Sequence, residues 1–80
     1  MEFRFPDLAD DLVEGTVSRW LKRPGETVRR GEPLVEVETD KVNSELESPA
    51  DGVLEEVLAV EGSTVSVGAL LARISQPDQT

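Results

Sequence analysis

Shifted by 37 residues, the chain aligns with itself without a gap. Gly15 falls on Gly52, Leu21 on Leu58, Gly25 on Gly62, Thr27 on Thr64, Val28 on Val65, Gly31 on Gly68 and Leu34 on Leu71. Self-similarity at a fixed period marks structural units that bury a core between them. Three of the matches are glycines, and glycine permits backbone conformations closed to other residues. The repeat therefore predicts two similar units related by approximate two-fold symmetry, each needing backbone freedom at the same three places.

Within each half the pattern is that of strands. The run Leu34-Val35-Glu36-Val37-Glu38 alternates apolar and charged residues, as a half-buried strand does. Further strands are predicted at residues 2–5 (Phe3 and Phe5 on one face), 16–21, 43–48, 52–60 and 69–74. Turn signals fall at Pro24-Gly25, Arg30-Gly31, residues 49–52, Glu61-Gly62 and Val67-Gly68. This spacing predicts a small all-β fold. Residues 8–13 have mild helical character, but Pro6 before them and Gly15 after them favour an ordered loop. Trp20 is expected in the core or at its edge. The acidic cluster Asp10, Asp11 and Glu14 lacks the ligand number and spacing of a calcium loop and reads as a solvated loop. Residues 1–75 are expected to form one domain, with the polar residues 76–80 beginning a linker.

Composition removes several function classes. Eighty residues make one domain at most, with little room for a deep cleft. Seventeen Asp and Glu against eight Lys and Arg give a formal net charge of −9. That balance argues against nucleic acid, which is bound by neutralising phosphates, and against an anionic membrane surface. Cysteine, histidine and tyrosine are absent, so disulfides and thiolate metal sites are excluded and general acid–base or covalent catalysis has few means. Neither a bilayer-length apolar run nor a signal-peptide pattern is evident in these residues. No catalytic residue and no metal site is expected, and the domain is expected to be monomeric.

One short segment carries chemistry. Glu38-Thr39-Asp40-Lys41-Val42-Asn43 lies between two strand-like runs and reads as a tight hairpin, in which Asp and Asn side chains suit the turn by bonding nearby backbone. Lys41 is expected at its tip. The chain has only one other lysine, Lys22. Carboxylates at Glu36, Glu38, Asp40, Glu45 and Glu47 favour the charged ammonium, the opposite of what a Schiff-base lysine needs. Lys41 thus suits modification by another enzyme better than spontaneous attack, although this segment alone also fits an ordinary surface lysine.

Glu38-Thr39-Asp40-Lys41-Val42 resembles the lipoylation motif of lipoyl domains from the acyltransferase (E2) components of 2-oxo acid dehydrogenase complexes. In that family a glycine lies 16 residues before the modified lysine and another 11 after it, and Gly25 and Gly52 match. Further agreement comes from Phe5-Pro6-Asp7-Leu8, Glu14-Gly15-Thr16-Val17, Trp20-Leu21 and Pro24-Gly25-Glu26-Thr27-Val28. The resemblance implies a flattened β-barrel, or barrel-sandwich hybrid, of two four-stranded antiparallel sheets with pseudo-two-fold symmetry. It implies lipoic acid in amide linkage to Lys41, with Asp40, Val42, Thr39 and Glu38 in recognition and Gly15, Gly25, Gly52 and Gly62 as structural glycines. The loop at residues 8–15 corresponds to one that contributes to recognition by the decarboxylase. The implied partners are a lipoate ligase or lipoyl transferase, a thiamine-diphosphate decarboxylase (E1), the acyltransferase core and a flavoprotein dihydrolipoyl dehydrogenase (E3). The implied location is the bacterial cytoplasm or, in a eukaryote, the mitochondrial matrix. Many family members have alanine after the lysine, where this chain has Val42.

Three alternatives share the fold. A biotinyl carrier domain has methionines flanking its lysine, where this chain has Asp40 and Val42. Glycine-cleavage carriers are longer chains. In the barrel-sandwich domains of export-pump adaptors the hairpin is structural and Lys41 would be incidental.

Overall fold

A computed structural model describes residues 1–6 and 12–76. Within them the chain forms eight strands and no helix: β1 (Glu2–Arg4), β2 (Glu14–Trp20), β3 (Thr27–Val28), β4 (Pro33–Glu38), β5 (Asn43–Glu47), β6 (Gly52–Val57), β7 (Thr64–Ser66) and β8 (Leu70–Ser75). They make two four-stranded antiparallel sheets, ordered β1-β8-β6-β3 and β5-β4-β2-β7. The 37-residue shift carries β2 onto β6, β3 onto β7 and β4 onto β8, so the two orders are the same order written twice. The halves are interleaved. β3 leaves the first half to pair with β6, and β7 leaves the second to pair with β2.

Even the irregularities repeat. The β2–β4 register slips between Val17 and Arg19, and the β6–β8 register slips between Leu54 and Glu56, 37 residues on. A second pair of slips leaves Leu34 unpaired in β4 and Leu71 unpaired in β8. An extra residue in one strand breaks the in–out alternation. Leu34 and Val35 are accordingly adjacent and both fully buried, as are Leu71 and Ala72. The alternation predicted for β4 therefore starts at Val35, one residue later than the sequence suggested.

The core is one cluster in which Phe5, Leu34, Leu54, Leu71, Ile74 and four valines are fully buried. Trp20 packs half-buried at its edge, and its indole Nε1 donates to the Ala59 carbonyl at 2.6 Å. The short strands β3 and β7 were not visible as alternation, because two or three residues carry no period. The strand predicted to reach residue 60 ends at Val57, where the Leu58 and Ala59 amides both turn to the Leu71 carbonyl. The expected loop at residues 8–13 lies outside the described residues except for Leu12, which is buried, and Val13, which is exposed. Asp10, Asp11 and residues 77–80 of the expected linker also lie outside them.

The matched glycines divide into two kinds. Gly25 and Gly62 have φ of 94° and 88°, in the left-handed region that disfavours other residues. Gly15 and Gly52 lie instead inside strands, not in turns as the repeat alone suggested. They are needed because there is no room for a side chain. A Cβ on Gly52 would meet the Ser75 carbonyl oxygen at 2.5 Å, and one on Gly15 would meet the Phe5 ring at 2.9 Å and the Glu38 carbonyl oxygen at 3.1 Å. The Gly52 obstacle is backbone and cannot swing aside. Gly52→Ala should therefore destabilise by about 1–3 kcal/mol, lowering the melting midpoint by roughly 4–8 °C per kcal/mol. Gly15→Ala should lower it less. Thermal melts followed by circular dichroism read both, and a Gly52→Ala midpoint equal to wild type would refute the packing account.

Candidate functional site

The turn between β4 and β5 begins after the cross-strand pair Glu38–Asn43 and consists of Thr39, Asp40, Lys41 and Val42. The Thr39 amide closes it by donating to the Val42 carbonyl at 2.9 Å. The Thr39 hydroxyl organises the interior: it accepts from the Val42 amide at 2.8 Å and the Lys41 amide at 3.1 Å, and donates to the Val42 carbonyl at 2.7 Å. The sequence had pointed to Asp and Asn for this work. Among the described residues neither the Asp40 nor the Asn43 side chain makes a hydrogen bond, and the threonine makes them all. The reason is position. At the first residue of the turn a β-hydroxyl sits over the amides two and three residues on.

Lys41 is exposed at the tip, with exposed Asp40 before it and half-buried Val42 after it. Among the described residues Lys41 is in no ion pair. Lys22 is its opposite: half-buried, with Nζ 3.0 Å from a Glu32 carboxylate oxygen. That lysine, together with the Arg29 amide donating to Glu32 at 3.0 Å, holds the Glu32 carboxyl below its ordinary value of 4.5. One of the two amines is therefore clamped and the other projects.

The hairpin is seated on β2. The Thr39 methyl carbon would lie 3.0 Å from a Cβ on Gly15, so a bare glycine lets the hairpin and the Phe5 ring close onto that strand. A groove beside this contact is lined by Val13, Glu14, Gly15, Thr16, Glu38, Thr39 and Asp40. Val13 is 68% exposed at its rim, where the loop at residues 8–15 returns to β2. The four expected structural glycines are thus dispersed. Gly15 touches the lysine hairpin, Gly52 packs on Ile74 and Ser75, and Gly25 and Gly62 make turns elsewhere.

The first and last strands meet away from Lys41. Phe5 exchanges backbone hydrogen bonds with Gly68 and Ala69 at the start of β8, and its ring reaches Gly15 beside Thr39. The start of β8 is therefore at the hairpin end, and six residues carry the chain to Ser75 at the other. There β1 begins, with Glu2 opposite Arg73.

Charge is also segregated. On the outer face of the sheet holding the hairpin, Glu14, Glu36, Glu38, Glu45 and Glu47 make no ion pair among the described residues, and Glu36 sits between Glu45 on one neighbouring strand and Arg19 on the other. On the other sheet Arg4 pairs with Glu2 and Arg73 with Glu56.

Two outcomes are expected. Acylation by an N-hydroxysuccinimide ester should label Lys41 well before Lys22 in peptide mass mapping, and Glu32→Gln should bring the two rates together. Because the Glu32 carboxyl is held below its ordinary value, its contribution to stability is complete above about pH 4.5 and is lost as pH falls through the lowered value. The melting midpoint of Glu32→Gln should therefore fall less on acidification than that of wild type, and an equal fall would contradict the pairing.

Comparison with known proteins sets this geometry in context. Residues 1–74 match the family model described as biotin-requiring enzyme. The chain is 51% identical over 75 residues to the dihydrolipoyllysine-residue succinyltransferase component of the 2-oxoglutarate dehydrogenase complex of Bacillus subtilis, covering 94% of this chain and 18% of that one. It is 49% identical over 73 residues to the dihydrolipoyllysine-residue acetyltransferase component of the pyruvate dehydrogenase complex of Corynebacterium glutamicum, covering 91% and 11%. The chain thus spans less than a fifth of these curated relatives. Among solved structures, the lipoyl domain of the 2-oxoglutarate dehydrogenase complex from Azotobacter vinelandii superposes with a TM-score of 0.78 at 40% identity, covering 98% of this chain and 99% of that one.

Proposed function

The chain belongs to the family of biotin- and lipoyl-bearing domains and, within it, to the lipoyl domains of the kind found in acyltransferase components of 2-oxo acid dehydrogenase complexes; on that premise we propose that Lys41 is the attachment point of lipoic acid and that the domain is a swinging-arm carrier. The observation that carries the reading is an exposed amine, in no ion pair among the described residues, at the tip of a hairpin whose backbone is held by the Thr39 hydroxyl. Such an amine suits amide formation, because it is exposed and no core has to be opened to reach it. Lys22, clamped to Glu32, does not suit it.

When attached, lipoic acid supplies the dithiolane that takes up and releases acyl groups and electrons, chemistry that is the cofactor's own. The protein's part is mechanical and electrostatic. The hairpin keeps the arm's root fixed while the side chain projects, and the start of β1 and the end of β8 lie at the far end, clear of a cleft the arm enters. Tethering replaces free diffusion by a high effective concentration at each active site. The partners in this reading are the lipoylating enzyme, the decarboxylase, the acyltransferase core and the dihydrolipoyl dehydrogenase. Asp40, Val42, Thr39 and Glu38 are the residues such enzymes meet first around Lys41.

The test is intact mass after incubation with lipoate ligase, lipoate and ATP, and separately with biotin ligase and biotin. One lipoyl increment, lost in Lys41→Arg and retained in Lys22→Arg, is expected. A biotin increment instead would make this a biotinyl domain, and none with either would make the hairpin purely structural. The acid served is read by offering the lipoylated domain to pyruvate, 2-oxoglutarate and branched-chain decarboxylases.

The unpaired carboxylates beside the hairpin suit a basic partner surface, an attraction that salt screens. The apparent KM of the cognate decarboxylase for the lipoylated domain should therefore rise between 20 and 300 mM salt, on the order of several-fold. A KM independent of salt would remove charge from the account of docking.

A further inference from the structure

We propose that Thr39 is the positioning residue for modification of Lys41: its hydroxyl orders the turn that presents the amine, and its methyl seats that turn on Gly15. The proposal rests on the carrier reading and adds how the site is presented. Within residues 38–43 the Thr39 hydroxyl supplies all the side-chain hydrogen bonds, at 2.7, 2.8 and 3.1 Å. The exposed Asp40 and Lys41 have no other tie than backbone, and only Thr39 and Val42 are half-buried. Apart from the Thr39 amide bond to the Val42 carbonyl, order in the turn therefore runs through one oxygen. The other branch of the same side chain reaches 3.0 Å from the position of a Gly15 Cβ, which fixes the turn relative to β2 and the Phe5 ring. A single β-branched residue thus performs two tasks, and each can be removed separately: valine keeps the methyl and loses the hydroxyl, and serine does the reverse.

A modifying enzyme that docks on the ordered turn meets that conformation only for the fraction of time it is populated, and its apparent affinity falls by that fraction. Loss of the hydroxyl should therefore appear in KM for the domain and leave kcat unchanged once the enzyme is saturated. A general loss of stability would instead show as faster exchange throughout the protein.

The experiment compares wild type, Thr39→Ser and Thr39→Val as intact domains. Lipoylation by lipoate ligase is followed by intact mass, and amide hydrogen exchange is followed by NMR. Thr39→Val should raise KM about tenfold, the scale of one lost hydrogen bond, with kcat retained. Its Lys41 and Val42 amides should exchange about tenfold faster, while the core amide of Leu54 is unchanged. Thr39→Ser keeps the ordered turn and loses its seat on Gly15, so its Lys41 and Val42 amides should exchange within about twofold of wild type while KM rises, by less than in Thr39→Val. Should Thr39→Val not fold, Thr39→Ala is compared with Thr39→Ser instead, because those two variants both lack the methyl and differ only in the hydroxyl. A hydroxyl-less variant lipoylated with wild-type KM, or Thr39→Ser failing as badly as valine, overturns the proposal and leaves the carrier reading standing. A wild-type domain that takes no lipoate overturns both.

Discussion

The fold depends on a reciprocal exchange between its halves. The Gly25 amide donates to the Leu54 carbonyl, and the Gly62 amide donates to the Val17 carbonyl, each at 2.7 Å. Donors and acceptors are each 37 residues apart, so this is one bond made twice, and every copy joins residues of different halves. The accepting carbonyls sit at the register slips in β2 and β6, where the strand ladder is interrupted and a carbonyl is available. Both donors need positive φ, and glycine provides it without steric cost. A chain this small buries only about 60% of the surface its unfolded form exposes. Neither half has a core of its own, and interleaving is how two short units make one.

Symmetry fails at one end of the molecule, beside the lysine hairpin, and in the closure of the hairpin itself. Ala72 stands opposite Phe3 as Val35 stands opposite Leu46, so Phe3 is the counterpart of Leu46. They are 43 residues apart rather than 37, which puts six additional residues between β1 and β2. The additional chain leaves from Phe5 and returns at Val13 and Glu14, at the rim of the groove beside Lys41. The hairpin has a counterpart as well: the gap between the end of β8 and the start of β1. A two-fold arrangement with one closed end and one open end sets the lysine apart from the end of β8 and the start of β1 without any further device.

Much of this was legible in the residues. The seven matched positions specified the equivalence of β2, β3 and β4 with β6, β7 and β8, and the pair of lysines narrowed the chemistry to one turn. What was hidden was hidden for physical reasons. β3 and β7 are too short to show a period. Leu34-Val35 looked like the start of an alternation, because a strand slip leaves no mark on composition. Gly15 and Gly52 looked like turn residues, because a glycine required by a close approach reads the same as one required by its φ angle. The hydroxyl of Thr39 was overlooked in favour of Asp40 and Asn43. Residue type gives propensity for a turn, but only geometry tells which oxygen lies over the amides.

The electrostatics near the hairpin run against local stability. Glu36 and Glu45 face each other across β4 and β5, and like charges directly opposite are destabilising. Arg19, opposite Glu36 on the β2 side, offsets part of this, as Arg73 opposite Glu56 does at the equivalent positions of the other sheet, where Arg4 also pairs with Glu2. Surface ion pairs contribute little stability, so the difference between the sheets matters more for the field outside the protein than for its folding. Amide formation on Lys41 would sharpen that difference. It removes the one cation at the tip, takes the formal net charge from −9 to −10, and leaves Asp40 and Glu38 without a positive neighbour in the turn. Modification would therefore do more than add an arm. The unmodified domain presents a cation at its leading edge to a basic cleft, and the modified domain presents a neutral chain framed by carboxylates. The same reaction that makes the domain useful to its partners would also make it electrostatically more attractive to them.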